Sequence, residues 1–261
     1  MKIVVKIGGA ALDDKVLLKK CAKAIAELAE EGHKVAVVHG GGAALTRTLA
    51  QLGKQSEFIN GLRVTDSETR DVALMVLGGR VNKLLVAAIA AEGQAAMGIC
   101  GGDGLVFSAR KKKTEGCDLG YVGEISAVDP RWIDAIWSNG GIPVISSIAL
   151  GSDGEYYNVN ADQMASACAS GCMADTLVFL TDVPGVKGAD GTVIRWLAVQ
   201  QIPGLVRDSV IRGGMLPKLQ ACQDALRLGV HRVRILPAAE VAALPDFYYE
   251  KIEFGTEVMV Q

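Results

Sequence analysis

Apolar positions along this chain follow two rhythms, short runs rich in Val and Ile and longer stretches in which apolar residues return every three or four places. Residues 3–6 form the first run and read as a strand. Asp13 or Asp14 then caps a helix whose Leu17, Cys21, Ile25 and Leu28 share a face until Gly32. Residues 34–39 are a second strand, and a helix starts at Gly40-Gly41-Gly42. Thr65-Asp66-Ser67-Glu68 has capping-box spacing. It opens a long helix through Met75, Leu77, Val81 and Leu85, loosened at Gly78-Gly79 and stopped by Gly93. Residues 95–100 read as a strand, and the broken alternation over 106–124 as hairpins. Asp129-Pro130 supplies the N-cap and first-turn proline of a helix ending at Gly140-Gly141, followed by a buried strand at 142–146. Asn160 caps a helix over 161–171, and a strand follows at 176–180. A hairpin over 186–193 turns at Ala189-Asp190-Gly191. A helix at 215–228 and strands at 233–236 and near 257–260 complete an α/β pattern. Such alternation predicts a mainly parallel sheet covered by helices on both faces.

The length, 261 residues, suits one large α/β domain or two lobes on a continuous sheet. No repeat, low-complexity tract or proline-rich linker divides it, so a lobe boundary near 171–175 is a hinge within the fold. With 27 Lys+Arg against 29 Asp+Glu and a net charge of −2, the chain lacks the footprint of a nucleic-acid binder. Arg110-Lys111-Lys112-Lys113 reads as a solvated hairpin tip. Lys2 and Lys6 bracket only three apolar residues, and the longest uninterrupted apolar run, 84–91, is far short of the roughly 20 a span needs. A cytoplasmic protein without a membrane partner is expected. The six cysteines include no C-x-x-C pair, so no disulfide framework is expected. Cys168 and Cys172, four apart on a predicted helix, read as core residues rather than metal ligands. No metal-ligating site is expected.

The chemistry gathers around glycines. Lys6 precedes Gly8-Gly9, Lys218 follows Gly213-Gly214, and Gly40-Gly41-Gly42 ends the second strand. Glycines at a strand-to-helix junction let backbone N–H groups close on an anion, and a nearby lysine adds a full charge. In open α/β sheets such junctions lie at the carboxyl ends of strands, where ligands bind. Neither G-x-x-x-x-G-K-[ST] nor G-x-G-x-x-G occurs, which argues against a P-loop enzyme, a protein kinase and a dinucleotide dehydrogenase. Singly, each piece also has an ordinary reading. Gly-Gly makes tight turns, Lys6 fits a strand end in water, Arg63 fits a surface beside a hairpin, and Asp162 fits the first turn of any helix.

The order of the pieces carries more. Lys6-Ile7-Gly8-Gly9, His39-Gly40-Gly41-Gly42, Asn60-Gly61-Leu62-Arg63-Val64-Thr65 and Asn158-Val159-Asn160-Ala161-Asp162 come first. Thr181-Asp182-Val183-Pro184-Gly185-Val186 and Gly213-Gly214-Met215-Leu216-Pro217-Lys218 complete the set. Over nearly its whole length the chain resembles the amino acid kinase family, in particular the members that phosphorylate N-acetyl-L-glutamate. The resemblance implies a three-layer αβα sandwich with a mainly parallel open central sheet. Residues 1–173 would form the lobe for the amino-acid substrate and dimerisation, and 174–261 the lobe for ATP.

It implies transfer of the γ-phosphoryl group of ATP, carried with Mg²⁺, to the γ-carboxylate of N-acetyl-L-glutamate, a step of arginine biosynthesis. A carboxylate with a pKa near 4.3 is already ionised at pH 7, so no general base is required. Catalysis is then alignment plus charge cancellation. By similarity Lys6 spans the attacking side and the moving phosphoryl, Lys218 the leaving oxygens, and Asp162 orients both lysines. Gly9, Gly41 and Gly42 present N–H groups, where side chains would block the approach. Arg63 grips the α-carboxylate with a two-pronged hydrogen bond and Asn158 meets the acetamido or α-carboxylate end. Gly8, Asp182, Val183, Pro184, Gly185, Val186, Lys187, Val210, Ile211 and Arg212 match segments that line the nucleotide. His39 is structural rather than catalytic. Arginine-inhibited relatives carry an extra N-terminal helix that links dimers into a hexamer, so a homodimer insensitive to arginine is expected. Two other readings stand beside this one: a sibling kinase for aminoadipate, glutamate, aspartate, carbamate or UMP, and a non-catalytic sensor on the same fold.

Overall fold

The apolar runs become strands of one eight-stranded sheet. In this computed structural model, which describes residues 1–114, 116–245 and 254–260, β1 (Lys2–Ile7) leads through α1 (Gly9–Asp13) to α2 (Lys15–Glu30) and β2 (Lys34–His39). Next come α3 (Gly42–Gln51), a small hairpin of β3 (Phe58–Ile59) and β4 (Leu62–Arg63), and α4 (Ser67–Ala73). The helix continues as a π-helical segment, Leu74–Val81, and then as α5 (Asn82–Ala91). The chain proceeds through β5 (Ala96–Ile99), β6 (Phe107–Lys111), β7 (Val122–Val128), α6 (Arg131–Ser138), β8 (Ile142–Ser146), β9 (Ile148–Gly151) and β10 (Tyr156–Val159). It closes with α7 (Ala161–Gly171), β11 (Thr176–Thr181), β12 (Trp196–Ala198), α8 (Ile202–Arg207), α9 (Met215–Arg227), β13 (Arg232–Pro237) and β14 (Thr256–Met259).

The sheet order is β12-β14-β13-β11-β1-β2-β8-β5, parallel throughout except where β13 meets β14. Strand alternation splits its residues between two cores. Val4, Val38, Leu177, Phe179 and Ile235 pack with Trp137 of α6, Met164 and Cys168 of α7, and Leu219 and Cys222 of α9. Ile3, Val5, Ile7, Val37 and Leu180 pack on the opposite face with Cys21, Ile25 and Leu28 of α2 and Leu85 and Ile89 of α5. The result is three layers, helix on sheet on helix. Cys168 and Cys172 both lie in the first core, as the sequence suggested.

Several local features differ from the sequence reading. β6 and β7 pair as expected, but with β9 and β10 they close a four-stranded barrel. β9 and β10 are four residues each, too short for a clear alternation. Asp66, not Thr65, caps α4, its carboxylate accepting the Thr69 N–H. Pro130 itself occupies the N-cap of α6, with the Asp129 carboxylate accepting from Arg131 N. The 186–193 hairpin is reduced to a single bridge, Lys187 to Val193. Arg110 and Lys111 lie inside β6, paired with Glu124 and Asp118, rather than at a tip. The helical stretch Ser67–Ala91, 25 residues, is long and apolar enough to span a membrane by length and composition. Its Val72, Val76, Leu77, Val81, Leu85 and Ile89 are buried against the body of the protein, which makes it a core helix.

Candidate active site

Lys6 shares the face of β1 with Val4, the face covered by α7 and α9, and sits at the carboxyl end of the strand. Both helices begin there. Asn160 caps α7 by accepting from Asp162 N and Gln163 N, which fixes Asp162 in its first turn. Lys218 lies in the first turn of α9, one residue after Pro217. The three side chains meet: Lys6 Nζ is 2.7 Å from Asp162 Oδ1, and Lys218 Nζ donates to Asp162 Oδ2 at 2.9 Å. Lys218 also lies over the Phe179 ring, 5.1 Å from its centre. Lys6, Asp162 and Lys218 are 9%, 8% and 7% exposed, so water screens them little. Burial lowers the Lys6 pKa, against the pull of Asp162. Burial also works to raise the Asp162 carboxyl, but the two ammonium groups outweigh it and hold the pKa below the ordinary value. Two cations on one carboxylate leave a formal charge of +1 in a buried position.

That charge faces a cavity of about 700 Å³ lined by Lys6, Gly8, Gly9, Asp182, Val183, Arg212 and Lys218. Gly8 donates its N–H to Leu180 O at 3.2 Å, and a Cβ there would press on the same oxygen at 3.2 Å. At Gly9 a Cβ would meet no protein atom within 4 Å, so a side chain there would obstruct only what enters the cavity. Of the other residues matched to the nucleotide, Pro184, Gly185, Lys187 and Val210 do not line this cavity. Val186 and Ile211 are buried in the core, and Val186 N donates to Thr256 Oγ1. The sequence reading missed Met215 and the Pro237-Ala238-Ala239 wall. The signal was available, because 237 ends a parallel strand on the ligand-binding edge.

A second cavity, about 150 Å³, is lined by Gly40, Gly41, Gly42, Phe58, Arg63, Ser147, Asn158 and Asn160. The start of α7 joins the two spaces, since Asn160 and Ala161 line one and Asp162 anchors the lysines of the other. Gly41 has φ 142° and lies on the π-helical segment, so a Cβ there would come within 2.8 Å of Leu77 Cδ2. His39 pins the loop from below. Its Nδ1–H donates to Gly40 O at 2.8 Å, leaving Nε2 to accept from Asn82 Nδ2 at 3.0 Å. Burial pushes its pKa down to about 4, so it is a neutral strut.

The Arg63 guanidinium is already engaged. Nη2 donates to Gly42 O at 2.9 Å and Thr46 Oγ1 at 2.7 Å, Nη1 donates to Ser56 Oγ, and the plane lies 4.6 Å from the Phe58 ring centre. Each two-pronged edge of a guanidinium uses an Nη2 proton, and both are occupied. The two-pronged grip expected from sequence therefore requires displacement of Thr46 or Gly42 by the arriving carboxylate. Thr46 and Ser56 carried no signal, being ordinary hydroxyl residues on a helix and in a loop.

A model of the amino acid kinase family matches residues 1–237. An acetylglutamate kinase of Acidobacterium capsulatum is 67% identical over 259 residues, covering 99% of each chain. One from Koribacter versatilis is 56% identical with the same coverage. Among solved structures, the N-acetylglutamate synthase of Neisseria gonorrhoeae in complex with coenzyme A and N-acetyl-glutamate superposes with a TM-score of 0.88 at 26% identity. That match covers all of this chain and 59% of the synthase. Fold, paired lysines and full-length similarity agree, and the chain belongs to the amino acid kinase family.

Proposed function

We propose that this enzyme is an acetylglutamate kinase, transferring the γ-phosphoryl group of ATP to the γ-carboxylate of N-acetyl-L-glutamate. The observation that carries the reading is the pair of buried ammonium groups lining one cavity, held on a carboxylate one residue along α7 from the lining of the other. A sensor has no need for excess positive charge between its two ligands, whereas a migrating phosphoryl group does. The acceptor arrives ionised, so the protein supplies position and charge rather than a base. Lys6, on the strand between the cavities, faces the attacking oxygen and the moving group, Lys218 faces the leaving oxygens, and Asp162 keeps both ammonium groups in place. Arg63 and Asn158 hold the carboxylate end of the acceptor, and the Gly41-Gly42 turn brings backbone against it.

Among the described residues no cluster of three or more His, Cys, Asp or Glu side chains is placed to hold a metal. Asp182 is the acidic side chain lining the nucleotide cavity, and Asp162 is taken up by the lysines. Asp182 would be the residue to hold an Mg²⁺ ion that arrived on the triphosphate. When bound, the ion would neutralise phosphate charge. The reading has the enzyme in the cytosol, in arginine biosynthesis, as a homodimer joined through the outer face of the helix over residues 74–85, where Met75 and Leu84 are exposed.

An ADP-release assay tests the reading. N-acetyl-L-glutamate, glutamate, aspartate, carbamate, UMP and an aminoadipate derivative are offered side by side with MgATP. N-acetyl-L-glutamate should give the highest kcat/KM; preference for another acceptor moves the chain to a sibling activity, and no turnover with any leaves the sensor.

A further inference from the structure

Thr65 is fully buried, and each of its polar atoms is engaged. Its N–H donates to Leu119 O at 2.9 Å, and its carbonyl accepts from Tyr121 N at 2.6 Å. Gly120, its bridge partner, has φ 69°, and a Cβ there would come within 2.2 Å of Thr65 O. The backbone of residue 65 is thus clamped on the edge of the barrel. Thr65 does not line the acceptor cavity itself; it lies behind Asn158, which does.

The Thr65 hydroxyl makes two bonds. Oγ1 donates to Arg63 O at 2.9 Å and accepts from Asn158 Nδ2 at 3.3 Å. A hydroxyl carries one proton, and here it is spent on a carbonyl that can only accept. Oγ1 is left as an acceptor, and an acceptor selects the NH₂ of the Asn158 carboxamide over its oxygen.

We propose that Thr65 is a positioning residue that sets which way the Asn158 amide faces. With one N–H tied to Thr65, Asn158 offers the acceptor Oδ1 and its second N–H as a fixed donor–acceptor pair. An N-acylated amino acid carries the complement, an amide N–H beside a carboxylate. Thr65 therefore contributes to selection for an acylated acceptor through Asn158, while tying Asn158 to the strand that carries Arg63. The inference deepens the acetylglutamate kinase reading and rests on Asn158 and Arg63 holding that end of the acceptor.

Three variants test it. Thr65→Val keeps the volume and removes both bonds, Thr65→Ser keeps the hydroxyl, and Asn158→Ala removes the group being positioned. Thr65→Val should raise the acceptor KM by about 10-fold, the scale of one lost hydrogen bond, with kcat and the ATP KM within about twofold. Thr65→Ser should restore the acceptor KM. In the Asn158→Ala background Thr65→Val should add nothing further. An unchanged acceptor KM in Thr65→Val overturns the proposal. So does an equal further loss in the Asn158→Ala background, the mark of a merely structural residue. A normal KM in Asn158→Ala alone removes Asn158 from acceptor binding, and the proposal with it, while the phosphoryl-transfer reading of the lysines stands.

Discussion

At the nucleotide end, two ammonium groups share the single carboxylate of Asp162, whereas at the acceptor end the Arg63 guanidinium is held by Gly42 O, Thr46 Oγ1 and Ser56 Oγ, all neutral. The difference follows from what each end must do. Two like charges crowded in a buried place repel, and a carboxylate between them is the least counter-charge that holds them while leaving a net +1 for the migrating group. A lone guanidinium needs no such arbiter. Neutral acceptors fix its plane and leave its full charge for the substrate, and among the described residues no carboxylate pairs with it. The catalytic end is held by charge and the recognition end by hydrogen-bond geometry.

Removing the shared charge is the most severe break. Asp162→Asn keeps the shape but leaves two buried ammonium groups without a counter-ion, which should cost about 3–5 kcal/mol of stability. A urea-unfolding midpoint close to that of the parent protein would mean the lysines do not depend on Asp162. Removing one cation should be nearly as costly, but to turnover rather than to the fold. Lys6→Ala and Lys218→Ala should each lower kcat by roughly 10²–10³, the scale of one lost transition-state donor, with folding preserved. Near-normal turnover in either takes that lysine out of the mechanism.

Acid should separate the two ends. His39 supports the acceptor-side glycine loop only while neutral, and its folded pKa is about 4 against an ordinary 6.5. Between those values the unfolded chain binds the extra proton, so stability falls as pH drops from 6.5 toward 4, by up to about 3 kcal/mol. The Asp162 pKa is lowered, so the stability it contributes persists to below the ordinary carboxyl value of 3.8. Denaturation midpoints across pH 7 to 4 should decline in the parent protein and decline less in His39→Gln. An equal slope in both would assign the acid loss to other groups.

What was legible in the sequence divides along the same line. Lys6, Asp162 and Lys218 stand at strand ends and helix starts, and β1, α7 and α9 are regular elements whose apolar periodicity places them on one face. That Asp162 joins the two lysines was implied by the family resemblance, since its own position fits the first turn of any helix. The acceptor end is built from irregular chain: a hairpin of two-residue strands, a barrel of short strands and a π-helical segment. The π-helix runs Leu74–Val81, so the loosening suggested at Gly78-Gly79 falls inside it but begins four residues earlier, and Leu77 and Val81 on it lie against Gly41. Thr65 shows the limit most clearly. Its spacing from Glu68 suggested a cap, but Asp66 performs that task and Thr65 turns inward to Asn158, 93 residues away.

The smallest effect tests the recognition end directly. Arg63 donates three hydrogen bonds from two nitrogens and stacks on Phe58, a planar arrangement that a single lysine nitrogen cannot reproduce. Arg63→Lys retains the positive charge, so any loss reports geometry alone. Because the lysine cannot satisfy Ser56 and Gly42 while facing the substrate, the acceptor carboxylate should lose about one directed bond. The acceptor KM should rise roughly 10-fold with kcat within about threefold. A large fall in kcat with KM unchanged would place Arg63 with the lysines, as a group that acts on the transition state, and the contrast between the two ends would disappear.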